Sequence, residues 1–290
     1  MSLRDDYAPT ISPGPYPRLR LKPRTSAAQT IASLEQLINK ARDITSHADG
    51  PADVVVDRLR NGYADWVEQV EDVLHSATYW TDWSSLLFTD RYWHIRDMAS
   101  AVSRPHPLVD HEIRRQTAWL QGAVDDLKSR VARADLATGA PAVVDTNVLL
   151  HFMPLDQIPW PEVVGMREVR LILPLRVVEE LDSKKYDQSK LAAKRARSIL
   201  PRIEELVGPA GEPGNVRENV TLEVLVDAGP RFRSGDADDE ILSVTQELPL
   251  IYGAQTCLIT GDTGMKLRAH ARRIPIVSLP DQYRRQGDSV

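Results

Sequence analysis

Residues 142–152 read AVVDTNVLLHF. Two valines run into Asp145, Thr146 and Asn147, and three apolar residues follow at once. An unpaired carboxylate inside a protein costs several kcal/mol. Asp145 is therefore either brought to the surface by the turn or placed where something positive is meant to sit.

Outward from this stretch, the chain after about residue 141 alternates short β-branched runs with helical ones. Strands are expected at 142–145, 169–174, 221–227, 256–260 and 274–279. Helices are expected at 174–185 running into 188–206, at 236–248 and at 263–273. The turn-rich GPAGEPGN (208–215) closes the second helical stretch. That grammar predicts an α/β domain with a central parallel sheet flanked by helices.

Before it, Ile31, Leu34, Leu37, Ile38, Val54, Leu59, Val67, Val70, Val73 and Leu74 recur at spacings of three and four, which predicts an all-α N-terminal domain. A long helix is expected from near Pro107. The division expected is a proline-rich extended tail (1–25), a helical accessory domain (26–137), the α/β domain (141–282) and a C-terminal tail (283–290).

The chain has 290 residues, 42% of them hydrophobic, and a formal net charge of -5. That balance excludes a protein coating nucleic acid by bulk charge, so any such binding must be local. The single cysteine, Cys257, excludes an intrachain disulfide framework and reads as a small buried side chain. The first residues have no apolar signal core, and no stretch approaches the ~18 apolar residues of a spanning helix. A cytoplasmic protein without a membrane partner is the expectation.

Ligands of open parallel sheets bind at the carboxyl ends of the strands, and the acids gather there. Asp145 ends the first strand, Glu179 and Glu180 follow the second, Asp236, Asp238 and Asp239 open the helix after the third, and Asp262 follows the fourth. Val177 and Leu181 must face the core, which favours Glu180 over Glu179. Asp238 stands three and four before Ile241 and Leu242, while Asp236 suits an N-cap. Any one of these acids could simply cap a helix. As a set they repel one another unless protonated or neutralised, and hard oxygen donors suit Mg²⁺ or Mn²⁺ rather than zinc. A histidine-based ribonuclease would need imidazoles as acid and base, whereas this region offers only His151 and His270, neither within an acid motif.

These residues resemble the PIN-domain ribonucleases. VVDTNVLL is similar to that family's first motif, with Asp145 as metal ligand and Asn147 supporting it. LPLRVVEELDSKK resembles the second with Glu180, GDADDEILSVTQEL the third with Asp238 and Ile241, and LITGDTGMKLRAHA the fourth with Thr260 and Asp262. The resemblance spans roughly 141–280 and implies a PIN fold, a Mg²⁺ or Mn²⁺ site of Asp145, Glu180, Asp238 and Asp262, and cleavage of RNA phosphodiesters. A phosphatase of the HAD type would carry a second aspartate where this chain has Asn147.

The expected function is thus a metal-dependent endoribonuclease acting on single-stranded RNA. The alternative is a non-catalytic PIN-like module that binds RNA or protein. Candidate phosphate contacts are Lys184, Lys185 and Lys194, with Lys190, Arg195 and Arg197 on the same stretch, and Arg231 and Arg233 before the third acid motif. The lysine-rich stretch also fits a solvated helix face. Trp66, Trp80, Trp83, Trp93 and Trp119 fit a helical core better than a base-stacking platform. A protein partner bound through the helical domain, and a homodimer, complete the expectations.

Overall fold

A computed structural model describes residues 19–46, 50–79, 83–99, 105–136, 138–208, 212–226 and 236–285. Its contacts divide the chain into two compact units, with one division between Lys128 and Ser129.

The first unit is helical: α1 (Ala27–Ser46), α2 (Ala52–Ala77), α3 (Ser84–Leu87), α4 (Asp90–Arg96) and most of α5 (Pro105–Ala134). Its apolar stripes meet in one core that includes Leu34, Leu59, Val67, Val70 and Leu74. Trp66, Trp83 and Trp119 are buried there, and the Trp66 indole donates to the Leu37 carbonyl at 2.8 Å. Trp93 is about half exposed, and Trp80 lies outside the described residues.

The second unit opens with β1 (Ala140–Val144), α6 (Thr146–His151), α7 (Trp160–Val164), β2 (Val169–Pro174), α8 (Leu175–Lys184) and α9 (Lys190–Leu206). It continues through β3 (Gly214–Arg217), β4 (Val220–Leu225), α10 (Ala237–Tyr252), β5 (Cys257–Ile259), α11 (Thr263–Ala271) and β6 (Ile276–Val277). Among the described residues the sheet order is β3-β4-β2-β1-β5-β6, parallel except for the antiparallel β3–β4 pair. β1 and β2 are apolar almost throughout because helices cover both faces of the sheet.

β3 was not expected. It begins inside GPAGEPGN, whose glycines and prolines read as a turn. At Gly214 a Cβ would stand 1.8 Å from the Leu206 carbonyl, so only glycine lets this edge strand pass the end of α9.

The division between units falls within α5, short of the junction near residue 137 that the sequence suggested, and Leu21–Ala27 group with the second unit. Buried charge explains both. Arg170 donates to the carbonyls of Ala134 (2.6 Å) and Arg133 (2.9 Å), satisfying the open C-terminal turn of α5. Arg133 reaches Glu223 at 2.6 Å, and Arg130 reaches Glu247 at 2.7 Å. The Leu21 amide donates to Glu247 at 3.3 Å.

Candidate active site

The chain leaves β1 for β2 on one side and later returns as β5 on the other. The crevice at such a reversal is where open α/β sheets bind ligands. Asp145 leaves β1 there, and Asp262 follows β5.

Asp145 occupies the N-cap position of α6 without a well-formed cap hydrogen bond, although the nearby Asn147 amide favours its charged form. Its Oδ2 instead accepts from the Thr260 hydroxyl at 2.7 Å. β1–β5 pairing sets this up: Val144 lies opposite Ile259, so the next residue on each strand meets the other. Thr260 Oγ1 in turn accepts from the Asp262 amide at 3.0 Å. Asp262 Oδ1 accepts from the Met265 amide at 2.7 Å and caps α11. Between them, a Cβ on Gly261 would lie 2.5 Å from Asn147 Oδ1. Asn147 therefore packs against bare backbone.

α8 buries Val177 and Leu181, which turns Glu180 toward α6, where its carboxylate accepts from the Thr146 hydroxyl. Glu179 faces the same cleft, so helical register ranks the pair without excluding either. Asp236 caps α10, accepting from the Asp238 amide at 3.0 Å. Asp238 faces the cleft and meets Arg268 of α11 at 3.2 Å.

Asp145, Glu180, Asp238, Asp262 and Asn147 thus line one cleft of about 540 Å³, with Thr260 buried behind Asp145. The Asp145 carboxyl is raised to about 6, chiefly by burial; Glu180 and Asp238 add to the rise, and the Thr260 hydroxyl and Asn147 amide oppose it. Burial also raises Asp238, with Asp236, Asp262 and Glu180 adding to the effect and Arg268 opposing it. Among the described residues no three acid, histidine or cysteine side chains are gathered closely enough to hold an ion as they stand, because each carboxylate is tied to its own neighbour. Their chemistry still fits a hard divalent cation: oxygen donors only, with Asp145 shielded at 5% exposure and meeting no lysine or arginine among the described residues.

The basic candidates separate. Lys184 lines the cleft. Lys185 does not: it pairs with Asp182 at 2.7 Å, because i,i+3 neighbours on a helix meet more readily than the cleft can be reached. Lys194 is exposed and does not line the cleft, as suits the solvated face of α9, and Lys190 is exposed too. Arg195 is buried, donating to the Leu150 carbonyl at 3.2 Å, and Arg197 donates to the Lys185 carbonyl at 2.9 Å. Arg231 and Arg233 lie outside the described residues.

Four site residues escaped the sequence reading: Thr146, His151 and Arg176, which line the cleft, and Arg268, which pairs with Asp236, Asp238 and Asp239. The signal for Arg268 was present. Asp236, Asp238 and Asp239 crowd one helix start, and Arg268 and Arg272 stand at i,i+4 on the helix that follows.

No curated protein matches the sequence. A solved domain of a functionally unknown protein from Methanocaldococcus jannaschii DSM 2661 is similar at 19% identity, covering 52% of this chain and 96% of that one, with a TM-score of 0.32. No helix among the described residues is long and apolar enough to cross a membrane. A PIN-domain family profile matches residues 142–279, the stretch that carries the cleft. PIN domains are in general nucleases and typically use divalent metals. Residues 142–279 thus form a PIN domain.

Proposed function

We propose that the C-terminal unit is a Mg²⁺- or Mn²⁺-dependent endoribonuclease that hydrolyses phosphodiester bonds in single-stranded RNA. One observation carries this. A nearly buried carboxylate, Asp145, faces three other acids across a cleft and meets no cation of the protein's own among the described residues. A fold that merely binds gains nothing from such self-repulsion.

Asp145, Glu180, Asp238 and Asp262 would hold the ion. Bound there, a divalent ion supplies a lowered pKa for the attacking water and counter-charge for the phosphate and leaving oxygen. The protein's own groups prepare the site. Thr260 fixes the Asp145 carboxylate, Thr146 fixes Glu180, and Gly261 leaves room for Asn147. These bonds orient individual side chains, and the ion would draw the four carboxylates together from their present spacing.

The test is cleavage of a labelled single-stranded RNA in Mg²⁺, in Mn²⁺ and in EDTA, beside Asp145→Asn. Cleavage that needs metal and drops by at least about a hundredfold in the variant is the expected result. Tight RNA or protein binding, unaltered by Asp145→Asn and without cleavage, would instead favour the non-catalytic module.

A further inference from the structure

Arg176, Glu180 and Lys184 stand at i, i+4 and i+8 on α8. They therefore recur on one face at intervals of roughly 6 Å along the axis, and all three line the cleft. Their side chains are partly exposed.

Neither cation pairs with Glu180, and each makes only a loose ion pair with another acid of its own stretch. Arg176 comes no closer than 3.7 Å to Glu179, and Lys184 no closer than 3.6 Å to Asp187. Both distances lie beyond a hydrogen bond. The Arg176 Nε–H is shielded from solvent and has no hydrogen-bond partner. A shielded donor without an acceptor is costly; the partly exposed remainder of the guanidinium is what meets an anion in the cleft. A guanidinium fork matches two phosphate oxygens, and an ammonium matches one as a point charge.

We infer that α8 is a backbone ruler, with Arg176 and Lys184 taking the phosphates on either side of the one held at Glu180. The step of roughly 6 Å between helical turns is of the order of the phosphate repeat of an extended single strand. The strand then runs along α8, and three consecutive phosphates are engaged. This inference rests on the nuclease reading for the identity of the central phosphate, but its two outer contacts are measured without cleavage.

The experiment is binding of a labelled oligouridylate to Asp145→Asn protein in Mg²⁺ over a series of salt concentrations, so that the probe is held and not cut. Adding Arg176→Gln or Lys184→Gln should weaken binding severalfold and reduce the log–log salt slope by about 0.7, the loss of one single-strand phosphate contact. Arg176→Lys should restore the slope but not the full affinity, since it keeps the charge and loses the fork. An unchanged slope in both glutamine variants overturns the ruler even if the parent protein cleaves RNA. A parent that never cleaves, with variants that lose slope, leaves the ruler standing and removes the nuclease reading alone.

Discussion

Two carboxylates are sealed into the same sheet and treated in opposite ways. Glu223, on β4, is 0% exposed; it accepts from Arg170 on β2 at 2.9 Å, from Arg133 at 2.6 Å and from the Tyr252 hydroxyl at 3.0 Å. Asp145, at 5% exposure, has a threonine hydroxyl and three more acids for company. At Glu223 the fold brings its own cations, and the pair closes the end of α5. At Asp145 it brings none among the described residues, and burial lifts the carboxyl. Saturated charge of the first kind holds structure. Charge left open, at the mouth of a cleft and at the reversal of strand order, is held in readiness for a ligand.

The sharpest way to break the contrast is Arg170→Met. It removes the fully buried partner of Glu223, leaving Arg133 and Tyr252, and uncaps the Ala134 and Arg133 carbonyls, so unfolding in urea should show a loss of about 3–5 kcal/mol. Adding Glu223→Leu should recover part of it, because no buried carboxylate is then left short of a partner, while the two α5 carbonyls stay uncapped.

Asp145→Asn should move stability the other way. The carboxyl is raised from an ordinary 3.8 to about 6, so its contribution is intact below about pH 4 and is lost as pH rises through 6. Above pH 6 in EDTA the asparagine variant should therefore be more stable than the parent by up to about 3 kcal/mol, at 1.36 kcal/mol per unit. Near pH 4 the two should coincide. Adding Mg²⁺ should stabilise the parent and leave the variant nearly unmoved. A variant less stable than its parent at pH 7.5 would show that Asp145 is a structural acid like Glu223.

The smallest effect belongs to the half-open case between these extremes. Arg268 offsets Asp238 at 3.2 Å while also holding Asp236 at 2.5 Å, on an exposed surface where such pairs are worth about 1 kcal/mol or less. Arg268→Gln should tighten Mn²⁺ binding about two- to fivefold by calorimetry, since the ion no longer competes for Asp238. Weaker binding would mean that Arg268 positions Asp238 for the metal.

Much of this was legible in the sequence because it is local. Strand period and helical register placed Asp145 at the end of a strand, Glu180 and Asp238 on helices that follow strands and Asp262 just after the fourth expected strand, and all four line one cleft. What escaped was pairing. Arg195 looked like a phosphate contact because its neighbours are lysines, yet it turns inward to the Leu150 carbonyl. Arg176 drew no attention in the sequence, yet it lines the cleft with its buried Nε left without an acceptor. β3 was hidden because its partner β4, not its own glycine-rich residues, makes it a strand.

By itself the sequence determined the alternation of strands and helices and the acid at each strand end, since hydrophobic period and turn chemistry act over a few residues. Only the tertiary structure decided which acids receive a cation. Arg170 meets Glu223 across 53 residues, and Thr260 meets Asp145 across 115. Such meetings depend on strand order, which no local pattern encodes, and at a buried carboxylate they separate a structural lock from an open site.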